Sequence, residues 1–486
     1  MANAPAREAA AGRYPELLQL VGGEFRPGSG RPVDVLDPTT GRTLGQYHEA
    51  GPEEIEAALE RAAQGFARWR ATPLDERSRI LHRIADTILA QAETLAELVV
   101  LELGKPVAEA RTEVGQAADL WRWAAEECRR LYGRLVPTRN HRGRQMVLHE
   151  PVGPVAGFSS WNAPLITPSR KMSSALGAGC AVIMKASEEV PAAALALGRI
   201  AYECDLPEGA LSILMGDAET LSKRLLDSPV IRCITFTGST RVGKLLAGQA
   251  SAQMKRAIME LGGHAPVLVF DDVDVETVAK AAARAKFRNS GQVCTSPTRF
   301  YVQSGVYRAF TEAFAAEARS LRLGCGFDPR TEMGPLVDAR RIAATQAFVA
   351  DARARGLEIV AGGAAREGEG FFFEPTVIAN ADADAMVSNV EPFGPIAMTA
   401  PFETYDEAIA LANRLPFALA AYVHSTNVNT INNAINDVGA GNVICNGWRA
   451  SLPETPFGGH RDSGMGSEGG IEGLHAFLNV KYASIG

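Results

Sequence analysis

From Val152 onward, short apolar runs alternate with helical stretches, a rhythm that restricts a chain to parallel, helix-covered sheets. The runs span residues 152–158, 181–185, 211–215, 233–236 and 266–270. A second series follows Cys294: RFYV, a helix from about Val306, EIVAGG, a helix from about Tyr405, LAAYVHS and GNVICN. Two successive α/β series predict two α/β domains with a ligand cleft between them. A length of 486 residues agrees, being too great for one ordinary core.

Ahead of these series, turn-bounded strands are expected near residues 18–21 and 43–47. Ile55, Ala58, Leu59, Ala62, Ala63 and Phe66 then repeat at helical spacing. A second helix is expected to start at Thr72–Pro73, with Thr72 as its cap, and to run to about Leu103 before Gly104 stops it. The stretch LVPTRNHRGRQMVLHEPVG reads as a hairpin or extended arm. Its apolar residues need another surface to cover them, and a partner subunit is one candidate.

Charge and cysteine usage narrow the function classes. A net charge of −7 argues against a nucleic-acid or anionic-membrane surface. No apolar run approaches 18 residues, the least a membrane-spanning helix needs. The start, MANAPAREAAAGRYPE, has no signal-peptide core and carries Glu8 and Glu16, so a cytoplasmic protein is expected. The seven cysteines stand singly, without a C-x-x-C pair, which points away from a zinc site or a disulfide framework; no metal is expected.

Of those cysteines, Cys294 in FRNSGQVCTSPT lies between a Gly-Gln-Val run and a Thr-Ser-Pro turn. It is either a buried small hydrophobe or a nucleophile. Glu260, in IMELGGHAPVLVF, sits between an apolar run and a glycine turn. That is a place for a base of raised pKa, or for a carboxylate that caps the turn. Asn162, in FSSWNAP, comes just past a strand, where its amide can donate to a developing oxyanion. Gly238, Ser239 and Gly243, in FTGSTRVGK, form a strand-to-helix turn whose N–H groups suit a pyrophosphate, a plain turn being the alternative. Lys185 and Glu188, in VIMKASEEVP, can hold ribose hydroxyls or make a solvated turn, and EPFGPI fixes Glu391 rigidly.

Taken together and in order, these segments resemble the aldehyde dehydrogenase superfamily along essentially the whole chain. The matching residues are Trp161-Asn162, Lys185 with Glu188, the turn at 238–243, MELGG with Glu260, GQVC with Cys294, EPFGP with Glu391 and Phe393, and the C-terminal PFGGHRDSGMGSEGG. The family's separation of 34 residues between base and nucleophile is kept.

The resemblance implies two Rossmann-like parallel-sheet α/β domains with a small β arm for oligomerisation. Residues 1–130 and 151–262 would bind NAD, 263–460 would carry the nucleophile, and 131–150 with 461–486 would bridge subunits of a homodimer or homotetramer. It also implies oxidation of an aldehyde through a thiohemiacetal and a thioester on Cys294. In that scheme Glu260 is the base, Asn162 and the Cys294 N–H hold the oxyanion, and Lys171 with Glu468 relays protons. Trp161, Lys185, Ser187, Glu188, Gly238, Ser239, Gly243, Glu391 and Phe393 would contact the cofactor, Glu391 by holding the nicotinamide ribose. NAD is expected, because a 2′-phosphate would be repelled by Glu188, with NADP use possible through Lys185 and Ser187. Retention of Glu260 favours hydrolysis over transfer of the acyl group to coenzyme A.

Within the superfamily the chain looks most like bacterial succinic and ketoglutaric semialdehyde dehydrogenases. Arg170, Arg288 and Ser451 match their carboxylate-binding residues, and two guanidinium groups with a hydroxyl suit a carboxylate; for Arg288, six residues before Cys294, a structural ion pair is the alternative reading. Phe457 is placed in the same substrate site. Two departures bear on the substrate. Ala163 stands where the family usually has an aromatic ring, which widens the space beside Asn162. Trp448, in NGWRAS, either refills that space or stacks on a larger or aromatic aldehyde.

Overall fold

The computed structural model describes residues 4–139 and 142–486. Residues 1–3, the start of the stretch read above for targeting signals, and Asn140 and His141 of the arm lie outside the described residues.

Five of the predicted runs and their neighbours sort into two large sheets. In the first, parallel strands stand in the order Leu211–Leu214, Val182–Lys185, Val155–Phe158, Cys233–Thr237 and Arg256–Glu260. Strand Val155–Phe158 comes first in sequence. Later strands are added on its two sides in opposite directions, which opens a crevice at the carboxyl ends of the central strands. The first four of these strands are buried along their whole length, as expected of a sheet covered on both faces. Gln19–Val21 and Gly464–Met465 extend the sheet antiparallel at either edge.

The second sheet holds Ala265–Val269 at its own switch point. Pro297–Gln303, Ile396–Phe402 and Thr376–Ala379 run out on one side, Ala420–His424 and Asn442–Cys445 on the other. The run at 266–270 therefore belongs to the second series, not the first. The chain leaves the carboxyl end of Arg256–Glu260, turns through Gly262 and Gly263, and enters the second sheet. Strand Arg256–Glu260 is not marked by apolar content, because its first two residues are only half buried.

The expected helix over 72–103 is two helices, Leu74–Ala90 and Ala92–Leu103, separated by Gln91 at φ −100°, ψ 21°. Apolar spacing continues through both, so it carries no mark of the change in direction. Thr72 does not cap the first of them: its hydroxyl turns back to the Arg68 carbonyl at 3.3 Å, and Pro73 occupies the cap position. Gly104 does end the second, at φ 71°, a left-handed conformation that a β-carbon disfavours.

Arg134–Val136, Arg144–Pro151 and Leu478–Ile485 form a separate three-stranded antiparallel sheet. It carries exposed Leu135, Val480, Tyr482 and Ile485. The stretch 461–486 thus divides: Gly464–Met465 edges the first sheet, and only the last strand joins the arm. Among the described residues, no helix is long and apolar enough to cross a membrane.

Candidate active site

The carboxyl edge of the first sheet faces the amino edge of the second, and the chemistry-bearing residues collect between them. Glu260 ends a strand of the first sheet, while Cys294 lies three residues before Pro297 opens a strand of the second. A cavity of about 850 Å³ between them is lined by Cys294, Glu260, Asn162, Arg170, Trp448 and Phe457, among others.

The loop that carries Cys294 is bent by three consecutive left-handed residues, Asn289 (φ 48°), Ser290 (φ 56°) and Gly291 (φ 71°). Two of these have a β-carbon, so the loop is held by its partners rather than by its own preference. Those partners are well defined. Asn289 Nδ2 donates to the Asn162 carbonyl (2.9 Å) and to the Gln292 carbonyl (3.1 Å). Ser290 Oγ donates to Gly334 O at 2.8 Å, and the Val337 N–H donates to Gln292 Oε1 at 3.0 Å. The Tyr422 hydroxyl donates to the Thr295 carbonyl at 2.7 Å.

Asn162 is fixed in the same network. Its Nδ2 donates to Gln292 O at 3.0 Å, and its Oδ1 accepts from Ser160 Oγ at 2.7 Å. An amide nitrogen has two hydrogens, so one remains for an oxygen in the cavity. Lys105, buried and ion-paired with Glu113, also reaches the Asn162 carbonyl at 3.3 Å. Glu113 in turn accepts from Leu165 N (2.9 Å) and Ile166 N (3.4 Å), at the start of helix Ile166–Ala178. Lys105, Glu113, Asn289 and Gln292 escaped the sequence reading. Each acts at long range in sequence, and no local pattern marks it.

Glu260 is 3 % exposed and its Oε1 has no hydrogen-bond partner among the described residues. Burial first, then the charge of Glu468, pushes its carboxyl up to about 7, against the opposing effects of Cys294, Lys171 and Arg170. The Cys294 thiol is likewise pushed well above its ordinary value, by burial and then by Glu260. Both effects favour the protonated thiol, and the Glu260 carboxylate lies beside it. Lys171, fully buried, binds Glu468 and also donates to Thr235 Oγ1 at 3.2 Å. The Thr235 hydroxyl donates to Glu468 Oε1 at 3.1 Å.

The residues expected to take a cofactor lie around the first sheet's crevice. Lys185 Nζ pairs with Glu188, the nitrogen buried and the carboxylate partly open. The Ser187 hydroxyl donates to Glu189 Oε2 at 2.6 Å. Ser239 caps helix Thr240–Ala252, its Oγ accepting from Val242 N at 3.4 Å. A β-carbon at Gly243 would collide with the Leu261 side chain, so the helix lies close over the strand that carries Glu260. Glu391 Oε1 accepts from Gly263 N at 3.1 Å, and burial lifts its carboxyl to about 8. Trp161 and Phe393 meet edge to face at 5.4 Å. The Tyr47 hydroxyl is buried without a partner among the described residues, with Glu188 next to burial in raising its pKa. A helix N-terminus, a lysine–carboxylate pair at a strand end and an unsatisfied hydroxyl fit an adenosine dinucleotide. When bound, that cofactor supplies a hydride acceptor.

The residues matched to substrate binding fall into two settings. Arg170 is 8 % exposed, donates to Ser451 Oγ at 2.8 Å and stacks at 4.6 Å on the Phe457 ring. Its Nε lies 4.0 Å from Glu468 Oε2, and its Nη1 is buried without a hydrogen-bond partner among the described residues. Arg288 is exposed on the wall of the same cavity, makes no ion pair within 4.0 Å among the described residues, and acts on the Glu109 carboxylate by its charge. Trp448 packs on His424 (4.4 Å) and Tyr422 (5.4 Å) and gives the cavity an aromatic wall, with Ala163 lining it as well.

The whole arrangement has counterparts. Residues 25–483 match the model of the aldehyde dehydrogenase family. The chain belongs to that family. Two relatives are 4-(hydroxymethyl)benzenesulfonate dehydrogenase TsaD1 of Comamonas testosteroni and the NADP(+) succinate-semialdehyde dehydrogenase GabD of Escherichia coli. The first is 43% identical over 97% of this chain and 98% of its own, the second 36% over 96% and 97%. An NAD-dependent aldehyde dehydrogenase from Sinorhizobium meliloti superposes with a TM-score of 0.96 at 33% identity, over 100% of this chain and 97% of the other. This aldehyde dehydrogenase is thus an oxidoreductase that uses NAD or NADP to oxidise an aldehyde.

Proposed function

We propose that this aldehyde dehydrogenase oxidises an aldehyde that carries an anionic group, of the succinic semialdehyde type, to the corresponding acid. The observation that carries the reading is Arg170: a guanidinium oriented by Ser451 and Phe457 on the wall of the cavity that holds Cys294. Its Nε shares an ion pair with Glu468 at 4.0 Å, and a guanidinium braced in this way suits an anionic ligand. Arg288 adds positive charge at the open side of the cavity.

In the reaction, Glu260 takes the Cys294 proton and the thiolate attacks the aldehyde carbon. The free hydrogen of Asn162 Nδ2 and the Cys294 N–H bind the resulting oxyanion. Glu260 passes that proton on through Lys171 and Glu468 and, once the bound cofactor would have accepted hydride, deprotonates the water that hydrolyses the thioester. Lys171 and Glu468 connect Glu260 to the interior. The exposed apolar arm is assigned to contact with a second copy of the chain.

A second reading, in which the anion is borne on an aromatic ring, is favoured by Trp448 on the cavity wall and by the 43% identical relative named for a benzenesulfonate compound. A panel decides between them: succinic semialdehyde, benzaldehydes with a para carboxylate or sulfonate, and neutral aldehydes of each length, ranked by kcat/KM. Arg170→Met keeps the stem over Phe457 and removes the charge. It should cost about 2–4 kcal/mol in transition-state binding of charged aldehydes, the scale for truncating one partner of a desolvated charge pair. Neutral aldehydes should change little. Equal losses for both classes would assign Arg170 to structure alone.

NAD is proposed as the preferred cofactor, because Glu188 remains the open carboxylate at the adenosine end while Lys185 is already paired to it. Glu188→Ser should raise the NADP/NAD ratio of kcat/KM by removing repulsion of the 2′-phosphate. A ratio that stays level or falls removes Glu188 from the ribose site.

A further inference from the structure

Lys286 is 0 % exposed, at the last turn of helix Val275–Phe287, and it takes no part in the chemistry described above. Its Nζ donates to Ser296 Oγ at 3.0 Å and to the Gly394 carbonyl at 3.0 Å. Ser296 lies two residues beyond the nucleophile, and Gly394 three residues beyond Glu391. The third strand of this junction is Gly291. A β-carbon there would collide with the Gly394 carbonyl and come within 3.0 Å of the Lys286 nitrogen. The left-handed bend of the Cys294 loop and the Glu391 turn thus meet on one amine.

The chemistry of that amine is unusual. A buried ammonium would have three hydrogens for two acceptors, whereas a neutral amine satisfies both with the two it has. Burial accordingly lowers Lys286 to about 7, with Glu391 as the opposing charge.

We propose that Lys286 is a positioning residue for hydride transfer, one that ties the Cys294 loop to the Glu391 turn and so fixes the distance between the nucleophile and the nicotinamide. The inference rests on the reading of Glu391 as the residue that holds the nicotinamide ribose.

Lys286→Met, similar in length and without donors, tests it in the full-length enzyme. Single-turnover NADH formation, normalised to folded protein, should fall at least tenfold, while KM for the aldehyde stays within twofold. Iodoacetamide should alkylate Cys294 at the wild-type rate without NAD, and NAD should no longer alter that rate. A single-turnover rate within twofold of wild type overturns the proposal. So does a loss confined to melting temperature, which a merely structural lysine would give. If Lys286→Met does not fold, Ser296→Ala serves instead: it removes one acceptor and should give a smaller loss in the same step, and no loss overturns the proposal. Glu391→Gln is measured alongside. An unchanged NAD Kd there removes the ribose reading, whereas a weakened Kd combined with normal turnover in Lys286→Met removes the Lys286 inference alone.

Discussion

Cys294→Ala should lose dehydrogenase turnover by a factor on the order of 10⁴ or more, the scale reached when a covalent enzyme loses its nucleophile. The thiol is one of seven, yet it alone adjoins a buried carboxylate of raised pKa in the central cavity; Cys128, Cys180 and Cys233 are buried, with thiols pushed up by burial alone or chiefly so. NAD binding should be nearly unchanged. Of the residues assigned to the dinucleotide, Lys185 pairs with Glu188 and Trp161 packs on Phe393, contacts that do not involve the thiol. Equilibrium titration of NAD together with steady-state NADH formation checks both halves. Turnover above a few per cent of wild type would exclude Cys294 as the nucleophile.

Glu260→Gln should lower turnover by about 10²–10⁴-fold, the range for a positioned general base. The shape is kept and the base is lost, so acyl-enzyme should accumulate on Cys294 and appear by mass spectrometry after mixing with substrate and NAD. If the thiol cannot be deprotonated without Glu260, no adduct forms and alkylation of Cys294 slows instead; normal turnover refutes the role in either case. In the wild type the carboxyl titrates near 7. The base form therefore grows as pH rises through 7, and kcat should rise with it; the glutamine variant should lack that limb. The same shift has a consequence for stability. Because the folded pKa lies above the ordinary carboxyl value of 4.5, ionisation of Glu260 costs stability as pH climbs from about 4.5 to about 7. Glutamine removes that cost, so at pH 8 the variant should melt no lower than wild type.

Much of this was legible in the residues because short-range physics left a mark. Strand runs at 182–185, 211–214 and 233–237 are buried on both faces, so their apolar content is continuous and easily read. The strand that carries Glu260 is only partly covered at its start and left no such run. The break at Gln91 was invisible, since helical spacing of apolar residues survives a change of axis. Arg288 was paired with Arg170 by resemblance, but in space one guanidinium is exposed and the other buried and braced.

The sequence by itself determined the architecture, two α/β units and an arm, and singled out Cys294, Glu260 and Asn162 as candidates for nucleophile, base and amide. Those follow from periodicity, from residue chemistry and from motifs whose order along the chain is their signature. Only the tertiary structure decided how the reacting groups are held. Lys105, Glu113, Asn289, Gln292 and Lys286 act across 57, 52, 127, 45 and 108 residues of chain. Contacts at such separations leave no periodic trace, because a hydrogen bond depends on where two elements meet and not on the residues adjacent to either. The pKa of Glu260 is of the same kind: the residue type is in the sequence, but the burial that raises it exists only once both sheets close over the cavity.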